Sequence, residues 1–163
     1  LIHAMQFIPN AQLIIVGHGE QKKHLEKLIT QLKLNKRVLL AGKVDNDGLN
    51  SLLQSCDIFC LSSIERTEAF GLVLLEAMSY AKPIVITRVE GSGMNWVTED
   101  NKTALFAEKQ NPQDFAEKVN TLINDKKLSK MLGYNGHQRL LSQFNINIVA
   151  QQILKLYQSL SHV

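Results

Sequence analysis

Two periods alternate along the chain. Short runs of consecutive apolar, often β-branched residues are separated by longer stretches in which apolar residues return every three or four positions. The first kind predicts buried strands and the second predicts helices packed by one face. "AQLIIVG" (11–17), "RVLLAG" (37–42), "DIFCLS" (57–62), "KPIVITRV" (82–89) and "TALFA" (103–107) read as strands, with Pro83 at the first position of its strand, where a missing N–H matters least. Helices are predicted over 20–34 (Leu25, Leu28, Ile29, Leu32), from Asp45 or Asp47 through Leu49, Leu52 and Leu53, and over 70–80. A helical remainder follows over 112–124, 127–144 and 146–160. Strands separated by helices require crossover connections, hence a parallel sheet covered on both faces. The fold expected is a Rossmann-like, doubly wound α/β domain with a helical C-terminal tail.

Composition narrows the function classes. With 163 residues, 45% hydrophobic and 20% charged, the chain suits one compact domain, 1–163. The net charge is +3, and the lysines are scattered apart from the pairs Lys22-Lys23 and Lys126-Lys127, so no nucleic-acid partner is expected. One tryptophan gives no interleaved aromatics of the kind single-strand binders use. Cys56 and Cys60 match neither a redox nor a zinc spacing and read as buried free thiols, which fits a reducing compartment. No run is apolar enough to span a bilayer. The opening "LIHAMQFIPNAQ" lacks an initiator Met and reads as the middle of an amphipathic helix, as though cut from a longer protein.

The segment "IERTEAFGLVLLEAMSYAKPIV" (64–85) poses the chemical question. Its helix is apolar on nearly all sides and should be buried, yet it carries Glu76, and an unpaired buried charge is costly. Glu76 therefore has a polar partner in the fold or meets a ligand. Phe70, Gly71 and Leu72 would form the first helical turn, offering free N–H groups and the positive end of the helix dipole to a phosphate. Glu68 lies just ahead of that turn, and Glu76 roughly 7–8 Å along the axis at 1.5 Å per residue. A carboxylate accepts two hydrogen bonds side by side, which suits the vicinal hydroxyls of a ribose or sugar. The plainer alternative makes Glu68 a solvated loop residue and Glu76 a structural acid.

"ERTEAFGLVLLEAMSYAKPIVIT" resembles the E-x7-E segment of family 4 retaining glycosyltransferases, whose GT-B fold sets two Rossmann-like domains face to face. "LIIVGHGEQKKHLEKLI", "RVLLAGKVDNDGLNSLLQSCDIFCLSS", "KPIVITRVEGSG" and "TALF" follow the same family's order and spacing. The resemblance is to its C-terminal, donor-binding domain, one half of a GT-B enzyme. It implies that Glu68 contacts the transferred sugar and helps stabilise charge at the reacting carbon. It implies further that the backbone of Ala69, Phe70, Gly71 and Leu72 holds the sugar and diphosphate, that Glu76 binds the ribose diol, and that Val44 lies beside the base. No metal or other cofactor is expected.

The expected partners are a nucleotide-sugar donor and an N-terminal acceptor domain of the same chain. Family members carry a basic pair after a strand that would precede Leu1. Without that strand and domain, the chain alone is expected to be inactive. The function implied for the full-length protein is hexose transfer from a nucleoside diphosphate sugar to an acceptor hydroxyl. The expected setting is surface polysaccharide or lipopolysaccharide assembly in the cytoplasm, with room for peripheral association at the inner face of a membrane. A GT-B nucleotide-sugar epimerase and a non-catalytic Rossmann-like module are the alternatives.

Other motifs receive structural readings. Asp45-Asn46-Asp47 has the D-x-D form of a metal site but stands where a helix N-cap is needed. Gly17-His18-Gly19 is half a phosphate loop and reads as a tight turn. His3, His24, His137 and His162 are expected on the surface and His18 on the ligand rim. In "EGSGMNWV", Met94-Asn95 depart from the family's pattern, and Trp96 is expected to anchor the turn to the core. The last helix carries an apolar stripe (Ile148, Val149, Ile153, Leu156, Tyr157) expected to face a partner domain.

Overall fold

The computed structural model describes residues 1–160. A short 3-10 helix, His3–Phe7, replaces the amphipathic α-helix expected at the start. Five strands then alternate with helices: β1 Leu13–Val16, α1 Lys22–Gln31, β2 Val38–Gly42, α2 Asn46–Ser55, β3 Phe59–Leu61, α3 Leu72–Ser79, β4 Ile84–Thr87, α4 Met94–Val97 and β5 Ala104–Ala107. Three helices close the described chain: α5 Pro112–Asn124, α6 Lys126–Gln143 and α7 Ile146–Leu160. Side-chain caps set several starts. Asp45 accepts the Gly48 N–H at 2.8 Å, Asn111 accepts that of Asp114 at 3.0 Å with Pro112 at the first helical position, and Asp125 accepts those of Lys127 and Leu128. Each such cap contributes about 1 kcal/mol.

All strand pairs are parallel, so the strand ends that carry loops into helices share one side of each sheet. In β4 and β5 every residue is buried, and the two-residue period divides them between two cores. Val85, Leu105 and Ala107 face a core built with Phe115, Ala116, Val119 and Leu122 of α5. Ile84, Ile86, Ala104 and Phe106 face the other, with Leu74, Ala77 and Met78 of α3 and Met94 and Val97 of α4. Helices thus cover both faces, as a doubly wound sheet requires.

One expectation needs correcting. The sheet is not continuous: β1 pairs with β2, and β3 with β4 and β5, but β1 and β3 are not hydrogen-bonded to each other. They face across a cavity of about 1210 Å³ lined by all of β1 and β3, by Leu49, Leu52 and Leu53 of α2, and by Met5 and Ile8 near the chain start. Apolar runs identify strands but carry no signal of which edges pair. Cys60 lines this cavity and is half-buried rather than sealed in the core; burial, and secondarily the neighbouring Cys56, pushes its thiol up to about 12.

The apolar stripe of α7 is open to solvent: none of its residues is buried, and Ile146 and Leu160 are 75% and 64% exposed. No described helix is long and apolar enough to cross a membrane.

Candidate functional site

The loop from β3 into α3 ends at Gly71, which is buried and takes the left-handed conformation (φ 79°, ψ 55°). Only glycine suits it. A Cβ there would meet Leu74 Cδ1 at 2.7 Å as well as sitting in a backbone region that other residues avoid. Gly71 is thus the N-cap and α3 begins at Leu72, two residues later than the apolar pattern suggests. Glu68 Oε1 accepts the Gly71 N–H at 3.0 Å, and the Gly71 carbonyl accepts the Leu74 N–H at 2.8 Å. The N–H groups of Leu72 and Val73, the first two of the helix, have no acceptor outside it among the described residues. The helix start thus retains the partial positive charge of uncommitted amides, and one of its neighbours is already held by a carboxylate.

Glu76 answers the sequence puzzle differently from the burial first expected. Leu74, Ala77 and Met78 are fully buried, but Leu72, Glu76 and Ser79 form an exposed stripe, with Leu72 69% exposed. Residues four apart lie on one helix face, so this carboxylate and Leu72 share the solvent side. No described side chain or backbone group bonds or pairs with the Glu76 carboxylate; beyond the helix's own bonds, its main-chain carbonyl accepts from the Ser79 hydroxyl at 2.7 Å. The charge is tolerated because it is solvated.

The structure brings Glu68, Ala69, Phe70, Gly71 and Leu72 together at one helix start, with Glu76 one turn further along. Val44 is placed elsewhere, half-buried after β2 and just ahead of the α2 cap, in the other hydrogen-bonded sheet. Glu68 and Glu76 do not line the cavity between β1 and β3, whose nearest lining residues are Ser62, Ser63 and Val73.

Phe70 packs its ring against Trp96 (centroids 5.9 Å) and Phe144 (6.2 Å), and Trp96 meets Phe144 edge-on at 5.1 Å. Trp96 therefore ties its turn to these two rings at the surface, 57% exposed, rather than anchoring it in the core as expected. Arg139 of α6 braces the same corner: it donates to the carbonyls of Val97 (2.9 Å) and Trp96 (2.7 Å), lies over the Phe144 ring and pairs with Glu99. Arg88, also near the rim, is committed to Asp100 at 2.6 Å and Glu108 at 3.3 Å, and these bonds hold its guanidinium above its ordinary range.

Sequence reading missed Phe144, Arg139 and the buried Ser92, all distant in sequence from the glutamates; a serine between two glycines was the only local hint. Asp45 caps α2, in keeping with the capping role preferred over a metal role. His3, His18 and His24 are exposed, but His137 is half-buried with Nδ1 3.1 Å from the Met78 carbonyl, a correction to its surface assignment. It lies on the face of α6 that packs on α3, which its bond to the Met78 carbonyl shows. His162 lies outside the described residues.

Known proteins resemble this chain in sequence and fold. Residues 1–139 match the family described as glycosyl transferases group 1. The lipopolysaccharide core biosynthesis glycosyltransferase LpsE of Rhizobium meliloti is 31% identical over 159 residues, 98% of this chain and 45% of LpsE. Among solved structures, Anabaena Alr3699/HepE in complex with UDP-glucose superposes with a TM-score of 0.83 at 28% identity, over 98% of this chain and 44% of HepE. The C-terminal domain of the group 1 glycosyl transferase LpcC from Francisella tularensis shares the fold, with a TM-score of 0.76 at 24% identity, over 89% of this chain and 77% of that domain. The chain spans less than half the length of the first curated relatives it matches. The fold is that of the C-terminal part of GT-B glycosyltransferases, and the chain belongs to the glycosyl transferases group 1 family.

Proposed function

We propose that this chain is the donor-binding half of a retaining glycosyltransferase that, at full length, moves a hexose from a nucleoside diphosphate sugar to an acceptor hydroxyl and releases the nucleoside diphosphate. The observation that carries the reading is Glu76: an unpartnered carboxylate on the open face of an otherwise apolar helix, one turn from two uncommitted backbone amides. A carboxylate suits a ribose diol, and amides at a helix start suit a diphosphate. HepE, which was solved with UDP-glucose, supports the same ligand class here.

In this reading each group has one task. The amides of Leu72 and Val73 take the charge that grows on the leaving diphosphate. Glu68 keeps Oε1 on the Gly71 amide, so Oε2, which has no described partner, remains for the sugar. There it orients the ring and offsets positive charge at the anomeric carbon as the bond to phosphate breaks. Ala69 and Phe70 contribute backbone beside the sugar, and Val44 belongs to the edge nearest the base. No step calls on a metal.

The missing parts belong to the same proposal. A first strand ahead of β1 would complete the sheet in the cavity between β1 and β3. An N-terminal domain would bring the acceptor. Lipopolysaccharide or surface polysaccharide assembly at the cytoplasmic face of a membrane is the setting suggested by relatives such as LpsE.

The test is calorimetric titration of the full-length protein with UDP-, GDP- and ADP-sugars. Replacing Glu76 by Ala removes charge-assisted bonds of about 1.5–3 kcal/mol in total, roughly a tenfold to hundredfold loss of donor affinity. Unchanged affinity in Glu76→Ala would sink the assignment.

A further inference from the structure

We infer that Ser92 is a positioning residue that locks the Glu68 loop into its working conformation from the neighbouring turn; the catalytic part of this inference rests on the donor role proposed for Glu68. Ser92 lies on the turn after β4, the strand that pairs with β3. It is only 5% exposed. Its hydroxyl donates to the Glu68 carbonyl at 2.6 Å and accepts the Met94 N–H at 3.2 Å, while its own N–H reaches the Val89 carbonyl at 3.1 Å. The single hydroxyl proton is therefore committed, and the bond accepted from Met94 fixes its direction.

Ser92 does not act alone. The next residue, Gly93, donates its N–H to the Ala69 carbonyl at 2.8 Å, so two successive carbonyls of the Glu68 loop are gripped by two successive residues of the turn. The approach is so close that a Cβ on Gly93 would lie 2.2 Å from the Ala69 oxygen. On the other side, the Arg66 guanidinium lies over Gly91, where a Cβ would meet Nη2 at 2.9 Å. Among the described residues, the bonds from Ser92 and Gly93 are the only hydrogen bonds tying residues 64–70 to another part of the chain, apart from the contact of Glu68 with Gly71.

Two peptide units on either side of Ala69 are thereby fixed in rotation. With them is fixed the direction in which Glu68 leaves the main chain, which is what lets its carboxylate cap Gly71. Without the Ser92 bond, the Glu68–Ala69 peptide is free to turn, and a carboxylate held by a single half-buried bond wanders. Geometry errors of about 1 Å at a reacting centre are enough to cost on the order of 100-fold in rate.

The experiment uses full-length enzyme with Ser92→Ala and Ser92→Thr, the second retaining the hydroxyl. Hydrogen exchange is followed in the peptide containing Gly71, and turnover with whichever of UDP-glucose, GDP-mannose or ADP-glucose supports transfer. Binding of the nucleoside diphosphate alone is titrated in parallel, because that ligand uses the helix amides and Glu76 but not Glu68. Ser92→Ala is expected to speed exchange at Gly71 and to lower kcat by about tenfold or more, with β4 exchange and nucleoside diphosphate affinity unchanged. Ser92→Thr should recover most of both losses.

An equal drop in nucleoside diphosphate affinity, or wild-type exchange at Gly71 in Ser92→Ala, overturns the inference. If Ser92→Ala does not fold, Ser92→Cys, similar in size but a weaker donor, must show the same split, and a wild-type kcat there overturns it equally. Faster Gly71 exchange with turnover that resists Glu68→Ala as well would uphold the clasp and instead refute the catalytic role of Glu68.

Discussion

Two loops of this domain do the same thing at their ends and differ in what stands behind them. After β2, Asp45 turns its carboxylate onto the Gly48 N–H at 2.8 Å and starts α2. After β3, Glu68 turns its carboxylate onto the Gly71 N–H at 3.0 Å and leads into α3. Asp45 is exposed, and no bond from another segment holds its own carbonyl outside the helix it starts. The carbonyl of Glu68 is gripped by Ser92, and that of Ala69 by Gly93. A cap by itself stabilises a helix. A cap whose main chain is also clamped by a neighbouring loop marks a side chain whose direction matters.

The strongest way to break this comparison is to add one methyl group to each loop system. Gly93→Ala puts a Cβ 2.2 Å from a backbone oxygen, and its next contacts, Phe70 Cα at 3.2 Å and the Ala69 carbonyl carbon at 3.3 Å, are backbone too. Nothing flexible can yield, so the two loops must part. Overpacking of this kind costs about 1–3 kcal/mol. Turnover of the full-length enzyme is expected to fall by a larger factor than the melting temperature suggests. Gly48→Ala meets instead the Asp45 carboxylate oxygen at 3.0 Å, the far end of a side chain that can swing, and the Val44 Cβ at 3.3 Å, which must give by a few tenths of an ångström. Helix propensity favours alanine there by up to about 1 kcal/mol, which offsets a loosened Asp45 cap of about the same size, so stability should change little and turnover far less than in Gly93→Ala. Equal damage from both substitutions would show that the clamp has no special status.

Next in size is removal of the two capping carboxylates. Asp45→Ala should lower stability by about 1 kcal/mol, the usual loss for an N-cap, and Glu68→Ala, which frees the N–H of the N-cap Gly71, by about 0.5–1.5 kcal/mol, the worth of one hydrogen bond, as read from denaturant midpoints. Only Glu68→Ala should also reduce transfer, by on the order of 10²–10³, the range seen when one charge-stabilising group is removed from an active site. A matched fall in transfer for Asp45→Ala would erase the distinction between the loops.

The comparison also explains what the sequence could and could not reveal. Strands β4 and β5 were legible because "IVIT" and "ALFA" are buried on both faces, and a strand of that kind can hold nothing else. The start of α5 was legible because Asn111 and Pro112 are local signals that need no partner. The start of α3 was misplaced because apolar periodicity runs through Phe70, while the left-handed turn at Gly71 stops the helix short of it. The solvent face of α3 was hidden for a related reason: Leu72 is exposed, so its apolarity reported nothing about the core. The two glutamates stood out as charges in an apolar stretch. Ser92 did not, because its role comes from a bond across 24 positions to a carbonyl, and any serine in a glycine-rich turn looks alike until the chain is folded. The aromatic corner of Phe70, Trp96 and Phe144 is long-range in the same way.

The smallest expected effect concerns the far support of the clamping turn. Glu99 is held below its ordinary value of 4.5, first by the hydrogen bond from Lys102 and then by the charge of Arg139, the residue that binds the Trp96 and Val97 carbonyls. A carboxyl whose folded value is depressed stabilises the fold fully above its unfolded value, and that contribution drains away as pH falls below 4.5 toward the folded value. Because Glu99 is 35% exposed, solvent screens the pair and the effect is minor. Melting temperatures measured from neutral pH down to pH 3 should therefore fall slightly more steeply for the wild type than for Glu99→Gln, the wild type lying slightly higher at neutral pH and the two curves converging in the acid limb. At neutral pH the variant should keep turnover within about twofold, since the aromatic corner still anchors the turn. A large loss of turnover there would move the decisive support of the Glu68 loop from Ser92 and Gly93 to the Arg139 brace.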